Sequence, residues 1–310
     1  MLLCVTPNPA IDRTAVVSNL RLDEVNRAST VHVAAGGKGV NVARAARTLG
    51  ENVLCAGFLG GDHGTLFTAL ARREHLPGEW TTIDGETRSC MILLDPTQGH
   101  NTVINEMGPT VADEAWRQLI ETVTTLSERA SAVCLCGSAP PGTPLPRYAE
   151  LLVRLREKKR TVWVDVAGEP LESARRTGGI CLKVNRDEAS VLAGRALDTL
   201  ADIAQSAQML VADGAPICIV TLGGEGAIMA TEAGCWHATL PPIRRINAVG
   251  SGDSFLAGAA TAQMRGESDE SMLAWGVAAG AANAVSSGGG GFTYASFHAL
   301  LGKVNVQPCS

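Results

Sequence analysis

Along the chain, short uninterrupted apolar runs alternate with longer stretches in which apolar residues recur every three or four positions. LLCVT at 2–6 precedes GVNVARAARTL at 39–49, and NVLCAGFLG at 52–60 precedes GTLFTALARRE at 64–74. Continuous apolar runs suit strands buried on both faces, and the 3.6-residue period suits helices that cover them. The alternation therefore predicts βαβ units around a parallel sheet, an α/β fold. It continues with a helix near 111–129, the strand SAVCLCG, a helix over 146–159, the strands TVWVDV and ICLKVN, a helix over 198–212 and the buried strand PICIVTLGG. Thr110 and Asp113 have the spacing of a capping box for the first of these helices. GAIMATEAGCWHATL reads as a hairpin turning at Glu232, Ala233 and Gly234, and the remainder as helices over about 252–265, 269–286 and 294–303.

Two regions depart from this rhythm. Residues 12–35 and 86–106 carry a period of two (TAVV, STVHVA, TRSCMILLD, NTVIN), with polar turns such as Pro96-Thr97-Gln98-Gly99 between them. They predict antiparallel strands inserted into the α/β unit as a small second sheet. Laid across one mouth of the domain, such a sheet is a lid, and lids exclude water from reactive sites. An apolar face on so small a sheet also calls for cover, which predicts a homodimer formed through the lid. No repeat or low-complexity linker divides the chain, so residues 1–310 are read as one domain.

Composition narrows the function classes. The formal charge is −5 over 310 residues and the densest basic run is REKKR at 156–160, so the electrostatic footprint of a nucleic-acid binder is missing. That run reads as the solvated end of a helix. Of nine cysteines, eight (Cys4, Cys55, Cys90, Cys134, Cys136, Cys181, Cys218 and Cys235) lie mostly in apolar, strand-like runs and read as small core hydrophobes. No C-x-x-C pair or Cys/His metal spacing occurs, the apolar part of MLLCVTPNPAID is short for a signal peptide, and no apolar run reaches the ~18 residues that span a bilayer. The expectation is a soluble, cytoplasmic protein of a reducing compartment.

Four segments could carry chemistry. In NAVGSGDSF, 247–255, Gly250, Ser251 and Gly252 lead into a helix with Asp253 in its first turn. The acid either caps the helix or stands beside an anion site made by the N–H groups and the helix dipole. In AAGGKGVNVARAA, 34–46, Gly37 allows close backbone approach while Lys38 and Asn41 offer donors on one helical turn; the spacing fits neither a P-loop nor a dinucleotide fingerprint. LKVNRDE, 182–188, ends a strand with Lys183 and Asn185, where open parallel sheets present ligands. Glu188 there either holds magnesium through water or is an ordinary first-turn acid. TLGGEGA, 221–227, either touches phosphate or closes a hairpin.

TPNPAID (6–12), GGKGVNVAR (36–44), GSAPPG (137–142), KVNRDE (183–188), TLGGEGA (221–227) and VGSGDSFLAG (249–258) together resemble, in order and approximate spacing over nearly the whole chain, the PfkB (ribokinase-like) carbohydrate kinases. TPNPAID, Thr87-Arg88 and NEMGP at 105–109 are similar to the branch with 1-phosphofructokinase, tagatose-6-phosphate kinase and the minor 6-phosphofructokinase. The resemblance implies a Rossmann-like three-layer domain with a mostly parallel central sheet and a β-sheet lid, and ATP with magnesium. It implies Asp253 as general base and an anion hole from the N–H groups of residues 250–253. Lys183, Asn185, Thr221, Gly223 and Gly226 would face the nucleotide phosphates and Glu188 would position Mg2+. Asp12, Gly37 and Asn41 would hold sugar hydroxyls, and Lys38, Arg88 and Ser138 a phosphate already on the sugar. The implied acceptor is a hexose phosphate: fructose 1-phosphate, fructose 6-phosphate or tagatose 6-phosphate. An unphosphorylated sugar or nucleoside acceptor, and a non-catalytic sensor on the same fold, stay open at this point. Cys90 stands where asparagine is frequent in the family.

Overall fold

The structure is a computed structural model that describes residues 1–286 and 289–309. The chain opens with β1 (Leu2–Thr6), β2 (Ala10–Val16), β3 (Thr30–Gly36), α1 (Lys38–Thr48), β4 (Val53–Leu59), α2 (Gly61–Arg73) and β5 (Gly78–Thr82). Next come β6 (Arg88–Asp95), β7 (His100–Asn105), α3 (Asp113–Ser127), β8 (Ala132–Cys136), α4 (Leu145–Glu157), β9 (Thr161–Asp165) and α5 (Glu169–Thr177). The rest is β10 (Cys181–Asn185), α6 (Arg186–Ala193), α7 (Leu200–Ala212), β11 (Ile217–Thr221), β12 (Ala227–Thr231), β13 (Gly234–Thr239), α8 (Ser251–Met264), α9 (Asp269–Ala284), α10 (Tyr294–Leu301) and β14 (Asn305–Pro308).

Ten of these strands form one sheet in the order β14-β13-β12-β11-β10-β9-β8-β1-β4-β5. From β5 to β11 all neighbours are parallel, and β12, β13 and β14 add an antiparallel flank. β1 and β8 are buried at every position because helices cover both faces, which is why they read as unbroken apolar runs. One face packs on Val40, Leu256, Met272 and Phe297, the other on Trp116, Tyr148, Leu171 and Ile203. The result is the three-layer α/β architecture, and the hairpin turning at 232–234 is present as β12–β13.

The second sheet has four strands in the order β3-β2-β6-β7. Two pairings are antiparallel as expected, but β2 and β6 run parallel, pairing Ala10 with Arg88 through Val16 with Leu94. The two inserted segments leave the domain in the same direction, so their inner strands cannot be antiparallel. A second correction concerns α3: its N-cap is Ala112, with no side-chain capping bond, so Thr110 and Asp113 form no capping box. Asp113 instead accepts from Arg147 of α4.

Candidate active site

The start of α8 lies among the C-terminal ends of the parallel strands. Gly250 caps the helix with a left-handed φ of 80°, a conformation that costs a side chain dearly. The turn before it is fastened by polar side chains: the Val249 N–H donates to Asn247 Oδ1 (3.0 Å), and Asn283 of α9 donates to the Val249 carbonyl (2.9 Å) and to Ser251 Oγ (3.1 Å). The Ser251 N–H is committed to the Ala248 carbonyl at 3.1 Å, which removes one donor from the four expected in the anion hole. Asn283 is fully buried at the end of the apolar stretch of α9 and was not anticipated from sequence.

Asp253 is 6% exposed and its Oδ2 accepts from Asn41 Nδ2 at 2.8 Å. Asn41 is fixed in turn by Arg44, which donates to its Oδ1 (2.7 Å), to the Ala35 and Gly289 carbonyls and to Glu74. This orients the Asn41 amide with its N–H towards the carboxylate. Burial, with the charge of Asp165 nearby, pushes the Asp253 carboxyl up to about 6; Lys38, Asn41 and Lys183 oppose the shift. Asp12, on β2 of the lid, is likewise pushed up to about 6, chiefly by burial, against Arg44 and Arg88. Its carboxylate lies over Gly36 on the neighbouring strand, where a Cβ would come within 2.1 Å of Asp12 Cγ. Only glycine there leaves Asp12 room.

Behind these acids sits a cluster that the sequence reading did not assemble. Asp165, at the end of β9 and 1% exposed, accepts from Lys183 Nζ at 2.6 Å and from Lys38 Nζ at 2.7 Å. The two lysines hold its carboxyl below the usual carboxylate range despite burial. The Lys38 ammonium is held above its ordinary value: burial opposes its charge, but the Asp165 and Asp253 carboxylates outweigh that. Lys183 reaches the α8 turn, since a Cβ on Gly252 would lie 3.1 Å from its Nζ. Two cations thus share the Asp165 carboxylate beside the helix N-terminus, with the Asp253 carboxylate facing both of them.

At the lid side, Asn8 is a third residue missed by sequence reasoning, although it stands inside TPNPAID. It is 4% exposed and donates to the Met107 carbonyl and to Ser138 Oγ. Its carbonyl accepts from Arg88, whose third bond goes to the Glu106 carbonyl. Arg88 is thus anchored on backbone oxygens and uses three of its five donors. Cys90 is the register partner of Asp12 and shares its face of the lid. Asn101, near the lid tip, donates to Asn247 Oδ1 at 3.3 Å, so the lid touches the segment leading to Gly250.

The remaining candidates line the next strand ends. Asn185 caps α6 and exchanges hydrogen bonds with Glu188, each 2.9 Å, so one Glu188 oxygen serves a capping box. Thr221 Oγ1 donates to the Val184 carbonyl. Gly223 and Gly226 have φ of 61° and 89°; Gly226 closes the β11–β12 turn with a Cβ position 1.9 Å from the Ala238 carbonyl, while Gly223 faces open space. Gly37 caps α1 with φ 105°. Among the described residues no group of three His, Cys, Asp or Glu side chains could hold a metal by itself. A single carboxylate does suit Mg2+, which keeps several waters and takes its other ligands from substrate phosphates. A surface cavity of about 590 Å3 between β5 and α3 is lined by residues such as Trp80, Glu114 and Arg117 and contains none of these groups, so chemistry rather than cavity size identifies the site.

The chain belongs to the pfkB family of carbohydrate kinases, whose family model matches residues 3–293. It is similar to Escherichia coli phosphofructokinase-2, solved in complex with potassium, at 26% identity over 97% of this chain and 98% of that one, with a TM-score of 0.91. The same enzyme in complex with fructose-6-phosphate matches at 25% identity, again over 97% and 98%, with a TM-score of 0.89. A Thermotoga maritima protein described as a possible 1-phosphofructokinase shares the fold at 23% identity over the full length of both chains, with a TM-score of 0.86. The protein is accordingly an ATP-dependent sugar kinase. Among the described residues, no helix is long and apolar enough to cross a membrane.

Proposed function

We propose that this kinase, folded as one domain over residues 1–310, phosphorylates a hydroxyl of a hexose phosphate, with Asp253 as the general base. The observation that carries this reading is the buried Asp253 carboxylate at the first turn of α8, held through Oδ2 by Asn41 with Lys183 alongside. Its Oδ1 receives the acceptor proton, and its raised pKa of about 6 makes it a stronger base than an ordinary aspartate while it stays ionised at neutral pH. The Gly250, Gly252 and Asp253 N–H groups stabilise charge on the transferring phosphoryl group, and Lys183 neutralises the nucleotide phosphates, with Asn185, Thr221 and the backbone of Gly223 and Gly226 beside them. Glu188 holds Mg2+ through water; the ion supplies further charge neutralisation on the phosphates. Asp12, Asn41 and Gly37 orient the sugar, and closure of the lid keeps water from competing for the phosphoryl group.

The acceptor is assigned a phosphate of its own because three donors are neighbours: Arg88 and Ser138 both bond Asn8, and Lys38 stands beside Gly137, next to Ser138. Fructose 1-phosphate, fructose 6-phosphate and tagatose 6-phosphate all fit that donor set, and E. coli phosphofructokinase-2 in its fructose-6-phosphate complex supports it by relatedness. Each charge-assisted contact to phosphate contributes roughly 1.5–3 kcal/mol. Arg88→Ala should therefore raise KM for the hexose phosphate tenfold or more while KM for ATP holds. Coupled ADP-release assays on a panel of hexoses, hexose phosphates and nucleosides test both points. Faster turnover of free fructose or a nucleoside than of every hexose phosphate overturns the acceptor.

A homodimer through the lid completes the reading. By register, Val31, Met91 and Ile104 share the lid face opposite Asp12, and they are 55%, 38% and 58% exposed. An apolar patch on a small sheet is the kind of surface that a second copy covers. Sedimentation at micromolar concentration should give a species of twice the chain mass; a monomer there removes this part.

A further inference from the structure

One cysteine, Cys309, was absent from the core-like set in the sequence, and its surroundings explain why. It directly follows β14 and is the one partly exposed thiol among the described cysteines; the other eight are buried. The β13–β14 register pairs Trp236 with Pro308, so the next cross-strand position sets Cys309 opposite Cys235, and the Cys309 N–H donates to the Cys235 carbonyl at 2.8 Å. Both side chains point to the same face of the sheet, where Cys235 belongs to the core and Cys309 packs against it. The Cys309 thiol is close enough to Cys235 to help raise its pKa. Directly opposed residues in a hydrogen-bonded antiparallel pair have Cα atoms ~5.5 Å apart, inside the ~4.4–6.8 Å range that a disulfide spans. An open groove of about 350 Å3 lined by Ala201, Asp202, Ala204, Gln205 and Gln208 of α7 leads to Cys309.

We propose that Cys235 and Cys309 form a reversible redox pair whose disulfide staples β14 to the edge of the central sheet. Cys309 is the entry thiol. Its thiolate attacks one sulfur of a small disulfide such as oxidised glutathione, expelling one glutathione thiolate and leaving a mixed disulfide on Cys309. The Cys235 thiol then gives its proton to solvent and its sulfur attacks the Cys309 sulfur, expelling the second glutathione. The protein loses two electrons and two protons, and one oxidised glutathione becomes two reduced ones. Burial and the neighbouring thiol push the Cys235 pKa up, so the second step is the slower one and the mixed disulfide should be trappable early. Nothing in this pair depends on the catalytic reading, because neither residue contacts the site above.

The test uses the full chain incubated with oxidised glutathione, alkylated without reduction, and digested with trypsin and a Glu-specific protease. Cleavage after Lys303, Glu232 and Arg244 frees VNVQPCS and AGCWHATLPPIR, each with one cysteine. The expected product is these two peptides linked, lost on treatment with dithiothreitol. Cys235→Ser should stop at glutathionylated Cys309, and Cys309→Ser should leave Cys235 unmodified, with the thermal midpoint of each reduced variant identifying any that fails to fold. Cys309 still carrying glutathione in the parent with Cys235 free once the reaction has run to its end, neither thiol reacting, Cys309 linked to a second copy of itself, or Cys235 modified in the Cys309→Ser protein would each overturn the proposal.

Discussion

Asp253→Asn should lose at least a hundredfold in kcat and still fold and bind ATP. Removal of a general base typically slows a reaction on the order of 10²–10⁴-fold, whereas asparagine caps helices about as well as aspartate, so an aspartate that only capped α8 would tolerate the change. The geometry favours a clean comparison: the amide can turn its oxygen to Asn41 Nδ2 and keep the 2.8 Å bond. Stability carries a second, independent signature. The Asp253 carboxyl titrates near 6 in the folded chain against an ordinary 3.8, so the folded state prefers it protonated. The ionised carboxylate therefore opposes folding increasingly as pH rises from about 4 to 6, and by on the order of 3 kcal/mol above that. Asp253→Asn has no such charge to bury and should match or exceed the parent in thermal stability at pH 8, with the advantage shrinking towards pH 4. In the parent, kcat/KM should rise with pH through a limb near 6, to which Asp12 also contributes. Activity of Asp253→Asn within tenfold of the parent, at intact stability, would mean that the aspartate only holds Asn41 against the first turn of α8 and is not the base.

The architecture was readable because burial on both faces of a parallel sheet leaves an unambiguous mark: β1, β8 and β11 are apolar runs, and the helices between them keep a helical period. Edge elements left no such mark. β5 (GEWTT) and β14 (NVQP) are short and half-polar, and α5 is dominated by charged residues, so none stood out. The parallel pairing of β2 with β6 joins segments more than seventy residues apart, and local alternation specifies faces but not the direction of a distant partner. For the site, residues at glycine turns were visible, because φ above zero and close approach restrict what can stand there. Asp165, Asn283 and Asn8 were not. Each sits in a stretch whose local pattern is already explained, by a strand, an apolar helix or an Asn-Pro turn, and its partners lie on other elements. Glu188 shows the converse: the motif was legible, and the structure adds a capping role that its sequence neighbour Asn185 shares.

Removing the Asp165 carboxylate should be the most destabilising single change among the site residues. Asp165 and Lys183 have side chains 1% and 6% exposed and lie 2.6 Å apart, so each neutralises a charge that water cannot reach. Deleting one member of a buried pair leaves the other uncompensated and typically costs about 3–5 kcal/mol. Asp165→Ala should fall in that range by chemical denaturation. Lys38→Ala should cost far less, since the Lys38 side chain is 41% exposed and water screens its bond to the same carboxylate. The double variant Asp165→Leu/Lys183→Met should recover much of the loss, because what the single change leaves behind is a buried ammonium rather than a missing attraction. The Asp165 carboxyl is held below the usual range, so the pair stabilises the fold above the ordinary carboxylate pKa and the contribution fades as pH falls through the depressed value. The gap between parent and Asp165→Ala should accordingly narrow in strong acid. A loss below about 1 kcal/mol at pH 7, or a double variant no more stable than Asp165→Ala, would show that Lys183 finds water or another anion in the folded chain. In that case Asp165 would serve to aim the two ammonium groups at the α8 turn without holding the layers together, and its effect would appear in KM for ATP instead.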